Sequence, residues 1–341
     1  VMFLFLPVVI VWNLMRNYAT AHFAHPNGRR ITGVVTSVVS LFLLAGGNVS
    51  GAFRTLPFPV PGPSGVSVLA STGQFASYWD NQGNEHVDYI GADKHVHTIF
   101  LSNNQALNDD LTTESKGAIA LPDSALASYI DSAGNQHVNY ISADGHVHAL
   151  ISSGSSWTDN DLTALSKGTA AFSGSALDGY LDSASAQHVN YVGTNQHVYE
   201  LFYSGSSWSD NDLTALSRGI GVASGSTLTG YIGSNNTLHV NFIGTDQHVH
   251  ELFFSGGWSD NDLTVLGRGK TATTGSGLVG YIGHDNSVHV NFIGTDQHVN
   301  ELFFSQLAGH WVDNDLTTLS NGAAAVAGST LTGYVGSNDS I

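Results

Sequence analysis

A repeat of about fifty residues constrains the fold of this chain more than any other feature. The dipeptide His-Val recurs at steps of 51, 51, 51 and 50 residues, at His86, His137, His188, His239 and His289. Asp-Leu-Thr recurs in step with it, at Asp110, Asp161, Asp212, Asp262 and Asp315. We number these units 1 to 5. A period of roughly 50 residues with frequent turn residues is typical of four-stranded propeller blades.

Unit 4 illustrates the predicted strands. They are Leu228–Ile232, Leu238–Ile243, His248–Phe254 and a short last strand near Leu263–Leu266. The segments GSNN and GTDQ between the first three contain the Gly, Asn and Asp residues of tight hairpins. Val240 and Phe242 lie on one face of their strand and should pack between blades. The predicted fold class is therefore all-β, a β-propeller. A β-solenoid is the alternative, but its coils usually repeat faster.

The last eleven residues bear on the number of blades. Residues 331–341 copy residues 228–238 and stop just before the expected His-Val. Unit 1 already has its own first strand, Gln74 to Trp79, so this copy is surplus to five blades. We predict a propeller over residues 66–341 with five complete blades and the start of a sixth, truncated at its C-terminus. A five-bladed ring closed by an overlapping terminal strand is the alternative.

The first 65 residues differ from the repeats. Residues 1–14 form an apolar segment that we interpret as upstream sequence, which need not be translated. Residues 15–52 place Arg29-Arg30 before an apolar run and end in Ser-Gly-Ala, the order of a secretory signal peptide cleaved after Ala52. An uncleaved membrane anchor is the alternative. Residues 53–65 contain four prolines and are expected to be a stiff linker.

Charge and cysteine content exclude several classes of protein. The formal net charge is −17, and residues 1–52 contain no acidic residue, so the acidity lies entirely in the predicted linker and propeller. An acidic body repels phosphate, so nucleic acid is not an expected partner, and neither is an anionic lipid surface. The chain has no Cys, and the fold must therefore be stable without disulfides.

Each unit also contains a second His-Val histidine, at His95, His146, His197, His248 and His298. We interpret these residues as structural, bridging a backbone carbonyl and an Asp to keep the blades in register. Zinc would need further ligands at defined distances, so we expect none of the ten His-Val histidines to bind metal, and we predict no cofactor. The Asp-Asn-Asp segments lack a calcium loop's ligand number and are predicted to be turns. No nucleophile with a base and an orienting group is evident, so we predict no catalytic activity.

Two other repeat positions vary from unit to unit. One position holds, from unit 1 to unit 5, Thr98, Ala149, Glu200, Glu251 and Glu301. The other holds Ala106, Trp157, Trp208, Trp258 and Trp311. A purely structural requirement should be met in every blade, whereas a ligand site can be lost from single copies. We therefore expect the Glu and Trp residues to serve binding, with little effect on the fold. Capping at the chain ends is the alternative explanation.

The unit resembles blades of the fungal fucose-specific lectins, the Aleuria-type six-bladed propellers and their short bacterial relatives. The resemblance lies in the order His-Val-x-aromatic, turn, His-Val-x-Glu-Leu-aromatic-aromatic, Gly-x-Trp, over about residues 66 to 341. It implies sugar pockets between blades, in which an Arg and a Glu bind the sugar and aromatic residues stack on it. The matching residues are Glu200, Glu251 and Glu301; Tyr203, Phe254 and Phe304; and Trp208, Trp258 and Trp311.

This chain departs from the family at one position. The family Arg falls on His188, His239 and His289, and a neutral His donates one hydrogen bond where Arg has five donors. The resemblance predicts a secreted or cell-surface, multivalent carbohydrate-binding protein, specific for fucose or another neutral sugar on glycans. A propeller scaffold for protein–protein interaction is the alternative. A membrane would be a partner only if the N-terminal segment stays uncleaved.

Overall fold

The computed structural model describes residues 75–333, apart from residues 103, 104, 155, 234, 308 and 327. Within this range the chain forms five antiparallel sheets of four strands each, one sheet per unit. The all-β propeller prediction is confirmed. The segments 1–14, 15–52 and 53–65, and the predicted propeller residues 66–74, lie outside the described residues. The described helices are single turns of five residues, and none is long enough to cross a membrane.

In every blade the four strands lie side by side in chain order. Blade 1 comprises β1 (Phe75–Trp79), β2 (Glu85–Ile90), β3 (Val96–Ser102) and β4 (Gln105–Asp110). Blade 2 comprises β5 (Leu126–Ile130), β6 (Gln136–Ile141), β7 (Val147–Ser153) and β8 (Ser156–Asp161). Blade 3 comprises β9 (Leu177–Leu181), β10 (Gln187–Val192), β11 (Val198–Tyr203) and β12 (Trp208–Asp212). Blade 4 comprises β13 (Thr229–Ile232), β14 (Leu238–Ile243), β15 (Val249–Phe254) and β16 (Trp258–Asp262). Blade 5 comprises β17 (Leu278–Ile282), β18 (Val288–Ile293), β19 (Val299–Ser305) and β20 (His310–Asp315).

A one-turn helix follows the last strand of each blade. These helices are α1 (Leu111–Ser115), α2 (Leu162–Ser166), α3 (Leu213–Ser217), α4 (Leu263–Gly267) and α5 (Leu316–Ser320). The first three strands predicted for unit 4 agree with the structure to within one residue. The predicted fourth strand is wrong, because Leu263–Leu266 is helical and the strand is the preceding segment, which begins at Trp258.

The Asp-Leu-Thr motif explains this helix. The Asp262 side chain accepts a hydrogen bond from the Val265 N–H and so caps the helix N-terminus. Leu263 is fully buried, and the Thr264 hydroxyl accepts a hydrogen bond from the N–H of Val249 at 2.9 Å. The motif therefore ends the fourth strand and begins the helix, and its Thr links the helix to the third strand by a hydrogen bond.

The second histidine of each unit also binds this capping Asp. The Nδ1 atoms of His95, His146, His197, His248 and His298 lie 2.7–2.8 Å from a carboxylate oxygen of Asp110, Asp161, Asp212, Asp262 and Asp315. The predicted contact with an Asp is present in all five blades. It lies within one blade, where it connects the beginning of the third strand to the end of the fourth, so it does not hold neighbouring blades in register as predicted.

The hydrophobic core consists of clusters between successive blades. Val240 and Phe242 of blade 4 are fully buried, and they pack with Val192, Val198 and Leu213 of blade 3. The prediction that these two side chains pack between blades is confirmed. Equivalent clusters join blades 1 and 2, 2 and 3, and 4 and 5. The first strands of successive blades also contact one another, from β1 to β17.

The described C-terminal residues continue this series of first strands. Ser329 accepts a hydrogen bond from the Gly277 N–H at 3.0 Å, just before β17. A Cβ on Gly333 would lie 3.1 Å from the Tyr281 ring, and Gly280 stands in the same close relation to Tyr231 of the preceding blade. Residues up to Gly333 thus lie beside β17 where a further first strand would lie, and the start of a sixth blade stays a prediction. Residues 334–341 lie outside the described residues.

Candidate functional site

The predicted His and Glu residues of blades 3 to 5 bind each other within their own blade. Each His lies on the second strand and each Glu on the third, as diagonal neighbours across the antiparallel pair. The distance from His Nδ1 to Glu Oε1 is 2.7 Å for His188–Glu200, 2.7 Å for His239–Glu251 and 2.8 Å for His289–Glu301. All six side chains are buried. The single donor that His supplies at this position is therefore directed at the Glu.

An Asn from the fourth strand holds the second oxygen of each carboxylate. Asn211, Asn261 and Asn314 donate from Nδ2 to Glu Oε2, each at 2.9 Å. Burial raises the pKa of Glu301, but the hydrogen bonds from His289 and Asn314 outweigh burial and leave that pKa below its ordinary value. These Asn residues were not among the predicted site residues. Each is the middle residue of an Asp-Asn-Asp segment, which was predicted to be a turn.

Aromatic rings and hydroxyl groups complete the environment of the His. Tyr180, Tyr231 and Tyr281 of the first strands stack on His188, His239 and His289, with ring centroids 4.8–5.0 Å apart and planes within 14° of parallel. The Nε2 atom contacts Thr237 Oγ1 at 2.9 Å in blade 4 and Ser287 Oγ at 2.8 Å in blade 5. In blades 4 and 5 both ring nitrogens of the His therefore have partners, whereas His188 Nε2 in blade 3 has no hydrogen-bond partner among the described residues. The structure revises the expectation that these positions serve binding alone, because the Glu also satisfies buried donors of the fold.

A cavity of about 260 Å³ opens between blades 4 and 5. His239, Glu251 and Asn261 of blade 4 line one side, and Phe304 and Trp311 of blade 5 line another. The Phe304 and Trp311 rings contact each other, with centroids 5.4 Å apart. The remaining lining residues are neutral: Gly233, Asn235, Thr237, Phe253, Ile282, Asn286, Val288 and Gln306. The cavity therefore combines one buried carboxylate, neutral polar groups and an aromatic pair.

The pocket joins the Glu of one blade to the Trp of the next. Trp208, Trp258 and Trp311 pack on the clusters shared with blades 2, 3 and 4, respectively, and each contacts the predicted aromatic partner, Tyr203, Phe254 or Phe304. Glu251 and Trp311 line the cavity between blades 4 and 5, and the repeat places Glu200 and Trp258 at the equivalent positions of blades 3 and 4. The predicted residues thus form two complete sets among the described blades. His289 and Glu301 belong to blade 5, the last complete blade among the described residues.

Blades 1 and 2 lack the Glu. In blade 2 the Nδ1 atom of buried His137 has no hydrogen-bond partner among the described residues, because Ala149 occupies the Glu position. In blade 1 the Thr98 hydroxyl lies 3.4 Å from His86 Nδ1. Trp208 therefore borders an incomplete set, His137 and Ala149, and supplies a natural control for the complete pockets.

The fold and the pocket together define a β-propeller with a cavity between two neighbouring blades. The same fold occurs in a lectin from Aleuria aurantia, whose structure is described as a six-bladed propeller with a fucose recognition mode. That structure is 15% identical, has a TM-score of 0.53, and the match covers 77% of this chain and 85% of the lectin. AofleA from Arthrobotrys oligospora is 14% identical with a TM-score of 0.54, covering 76% of this chain and 74% of that protein.

A bacterial lectin from Burkholderia pseudomallei is also similar, at 12% identity and a TM-score of 0.53 over 70% of this chain and 68% of the lectin. No protein-family profile matches the sequence, and no curated protein matches it significantly. The resemblance seen in the sequence is thus confirmed in the structure, where it establishes the fold.

Proposed function

We propose that this chain is a non-catalytic lectin that binds fucose or a related neutral sugar in pockets between blades. The observation that carries the proposal is the cavity between blades 4 and 5, in which buried Glu251 faces Phe304 and Trp311. A carboxylate opposite an aromatic surface suits a ligand with hydroxyl groups on one side and an apolar face on the other. Sugars have this character.

The hydrogen bonds of Glu251 leave capacity for a ligand. Each carboxylate oxygen has about two acceptor sites, and one per oxygen is taken, by His239 and by Asn261. The free acceptor sites can receive sugar hydroxyls, while the fixed orientation of the carboxylate lowers the entropy cost of binding. Trp311 supplies a rigid stacking surface. No Lys or Arg lines this cavity, which favours neutral over acidic sugars.

Support for fucose comes from the structural neighbours. The Aleuria aurantia lectin has been crystallised as a mutant with α-methyl-L-fucoside and with Fucα1-6GlcNAc. We therefore place fucose first among the candidate sugars. The His that replaces the family Arg directs its Nδ1 proton to Glu, so the sugar contacts that an Arg fork makes must come from other groups here.

We also propose that the protein acts multivalently outside the cell. Two or more weak sites on one rigid propeller raise the overall affinity for glycan-coated surfaces through effective concentration. The proposal of a secreted or cell-surface location rests on the signal-like segment 15–52, which lies outside the described residues.

Titration of methyl α-L-fucoside, methyl galactoside, methyl mannoside and sialic acid into the purified chain tests this function. Trp311→Ala should weaken binding at its own pocket by about tenfold or more, because truncating a central Trp commonly costs about 2 kcal/mol and roughly 1.4 kcal/mol is a factor of ten. The matched control Trp208→Ala removes a Trp in the same setting, but beside Ala149, and should leave binding unchanged. If a folded wild-type chain binds none of these sugars, the proposal fails and the propeller scaffold is favoured.

A further inference from the structure

A second cluster of ligand-forming side chains lies in blade 4, formed by residues other than those that line the sugar pocket. It consists of Asp246 in the β14–β15 hairpin, His248 and His250 on either side of Val249, and Asp262 at the end of β16. One oxygen or nitrogen atom from each of the four lies within 4.8 Å of the others. The closest pairs are His248 Nδ1 to Asp262 Oδ2 at 2.7 Å and His250 Nε2 to Asp246 Oδ2 at 3.3 Å.

A further carboxylate orients the buried histidine of this cluster. His250 is 5% exposed, and its Nδ1 lies 3.0 Å from Asp260 Oδ1. The Asp260 carboxylate accepts from Nδ1 and orients the ring so that Nε2 faces Asp246 and the cluster. Metal-binding histidines are commonly oriented in this way, by a carboxylate on the nitrogen that does not bind the metal.

Blade 2 has a three-residue version of the cluster, formed by Asp144, His146 and His148, and Asp161 contacts both of these histidines. His148 is 5% exposed, and its Nδ1 lies 3.0 Å from Asp159, the counterpart of Asp260. Its Nε2 lies 3.9 Å from Asp161 Oδ2 and has no hydrogen-bond partner among the described residues. A buried nitrogen that faces carboxylates without a partner costs free energy unless a ligand occupies the site.

Blades 1, 3 and 5 each lack at least one residue of the arrangement found in blade 4. Blade 1 has Asn108 in place of the orienting Asp, and the Nδ1 atom of its His97 has no partner among the described residues. Blade 3 has Asn195 and Tyr199 at the positions of Asp246 and His250, and blade 5 has Asn300 at the His250 position. The same backbone therefore forms without the full ligand set, so the set is not needed to build a blade.

We propose that blades 2 and 4 each bind one divalent transition metal ion, with zinc as the best match. The ligands in blade 4 are Asp246, His248, His250 and Asp262. Imidazole and carboxylate donors suit zinc, at about 2.0–2.2 Å from the metal in a tetrahedron. The four ligand atoms of blade 4 already lie within 4.8 Å of one another, close enough for one ion to draw them into its coordination sphere. The ion also compensates the negative charge of Asp246, Asp260 and Asp262.

This proposal replaces the expectation that no His-Val histidine binds metal. That expectation considered the two His-Val histidines of a unit as a pair, and the structure assigns them to different acids: His239 to Glu251 and His248 to Asp262. That expectation left out His148 and His250, which follow His146 and His248 by two residues and supply the further ligands. A bound ion connects the hairpin to the end of the fourth strand, and it should therefore stabilise the blade.

Zinc binding to the full chain, after dialysis against chelator and then against buffer with zinc, tests the proposal. We expect about two zinc ions per chain by metal analysis, a lower melting temperature in chelator, and a cobalt(II) derivative with the intense visible bands of tetrahedral coordination. The double variant Asp246→Asn/His250→Tyr, which carries the residues found in blade 3, should bind one ion. Adding Asp144→Asn/His148→Tyr should abolish binding.

The matched control is Asp296→Asn in blade 5, which should leave the zinc content at two. Zinc below about 0.2 ions per folded chain would overturn the proposal, as would unchanged zinc content in the four-residue variant. The sugar titrations share none of these residues, so failure of either proposal leaves the other intact.

Discussion

Ala149→Glu should create a sugar pocket between blades 2 and 3. Blade 2 already has the rest of the set: His137 with an unpartnered Nδ1, Asn160 directly opposite Ala149, and Trp208 from blade 3. The same strand position holds Glu in blades 3, 4 and 5, so the backbone accommodates that side chain. The new carboxylate should bind His137 Nδ1 and Asn160 Nδ2, as Glu251 binds His239 and Asn261.

The expected magnitudes follow from these contacts. Two hydrogen bonds to a charged group contribute about 1.5–3 kcal/mol each, and one of them satisfies a donor that is now buried without a partner. Burying the carboxylate costs several kcal/mol. These two effects nearly cancel, so the melting temperature should change by only a few degrees. The number of sugar sites in the described blades should rise from two to three.

Equilibrium dialysis with radiolabelled fucose at high protein concentration counts these sites. The control variant Ala149→Gln has similar volume, but its amide cannot accept hydrogen bonds at both ends. It should leave the count at two. An Ala149→Glu protein that is folded, yet binds no more sugar than the wild type, would refute our account of how the pocket is assembled.

Two further predictions concern stability. Glu251→Ala should lower the free energy of unfolding by about 2–4 kcal/mol in denaturant titrations, because it leaves His239 Nδ1 and an Asn261 donor unsatisfied; an unchanged midpoint would contradict this. Burial raises the pKa of Asp178 to about 7. The pKa of Asp178 in the unfolded chain is near 4. The protonated carboxyl therefore makes its full contribution to the stability of the fold below about pH 4, and this contribution is lost as the pH rises to about 7. Blade 4 has Thr229 at the position of Asp178. The variant Asp178→Thr should therefore stabilise the chain by up to about 4 kcal/mol at pH 8 and by little at pH 4. Thermal melts at both pH values would measure the two effects. Equal effects at the two pH values would refute the pKa argument.

The sequence predicted the fold well because the repeat constrains it at many places at once. Hairpin residues, alternating apolar positions and a period of about fifty residues all indicate four-stranded blades, and each occurs five times. The prediction failed at Leu263–Leu266, where the residue composition fits a strand. The tertiary position of Asp262, which caps a helical turn and binds His248, decides the outcome there.

The candidate site was predictable as a set of residues and not as an arrangement. Periodicity identified Glu251 and Trp311, but sequence position does not show that the Trp of one blade covers the Glu of the preceding one. Sequence position also does not show that Asn261 donates a hydrogen bond to the Glu251 carboxylate, or that His250 faces Asp246. These contacts depend on strand register and blade packing, which a local pattern does not encode.

A crystal structure of the chain soaked with methyl α-L-fucoside tests the central claim most directly. We predict sugar density in the cavity between blades 4 and 5, stacked on Trp311 and bonded to Glu251, and in the equivalent place between blades 3 and 4. No density is expected beside Ala149. Sugar bound only elsewhere, or both pockets empty at saturating concentrations of fucoside and the other neutral sugars, would contradict the account.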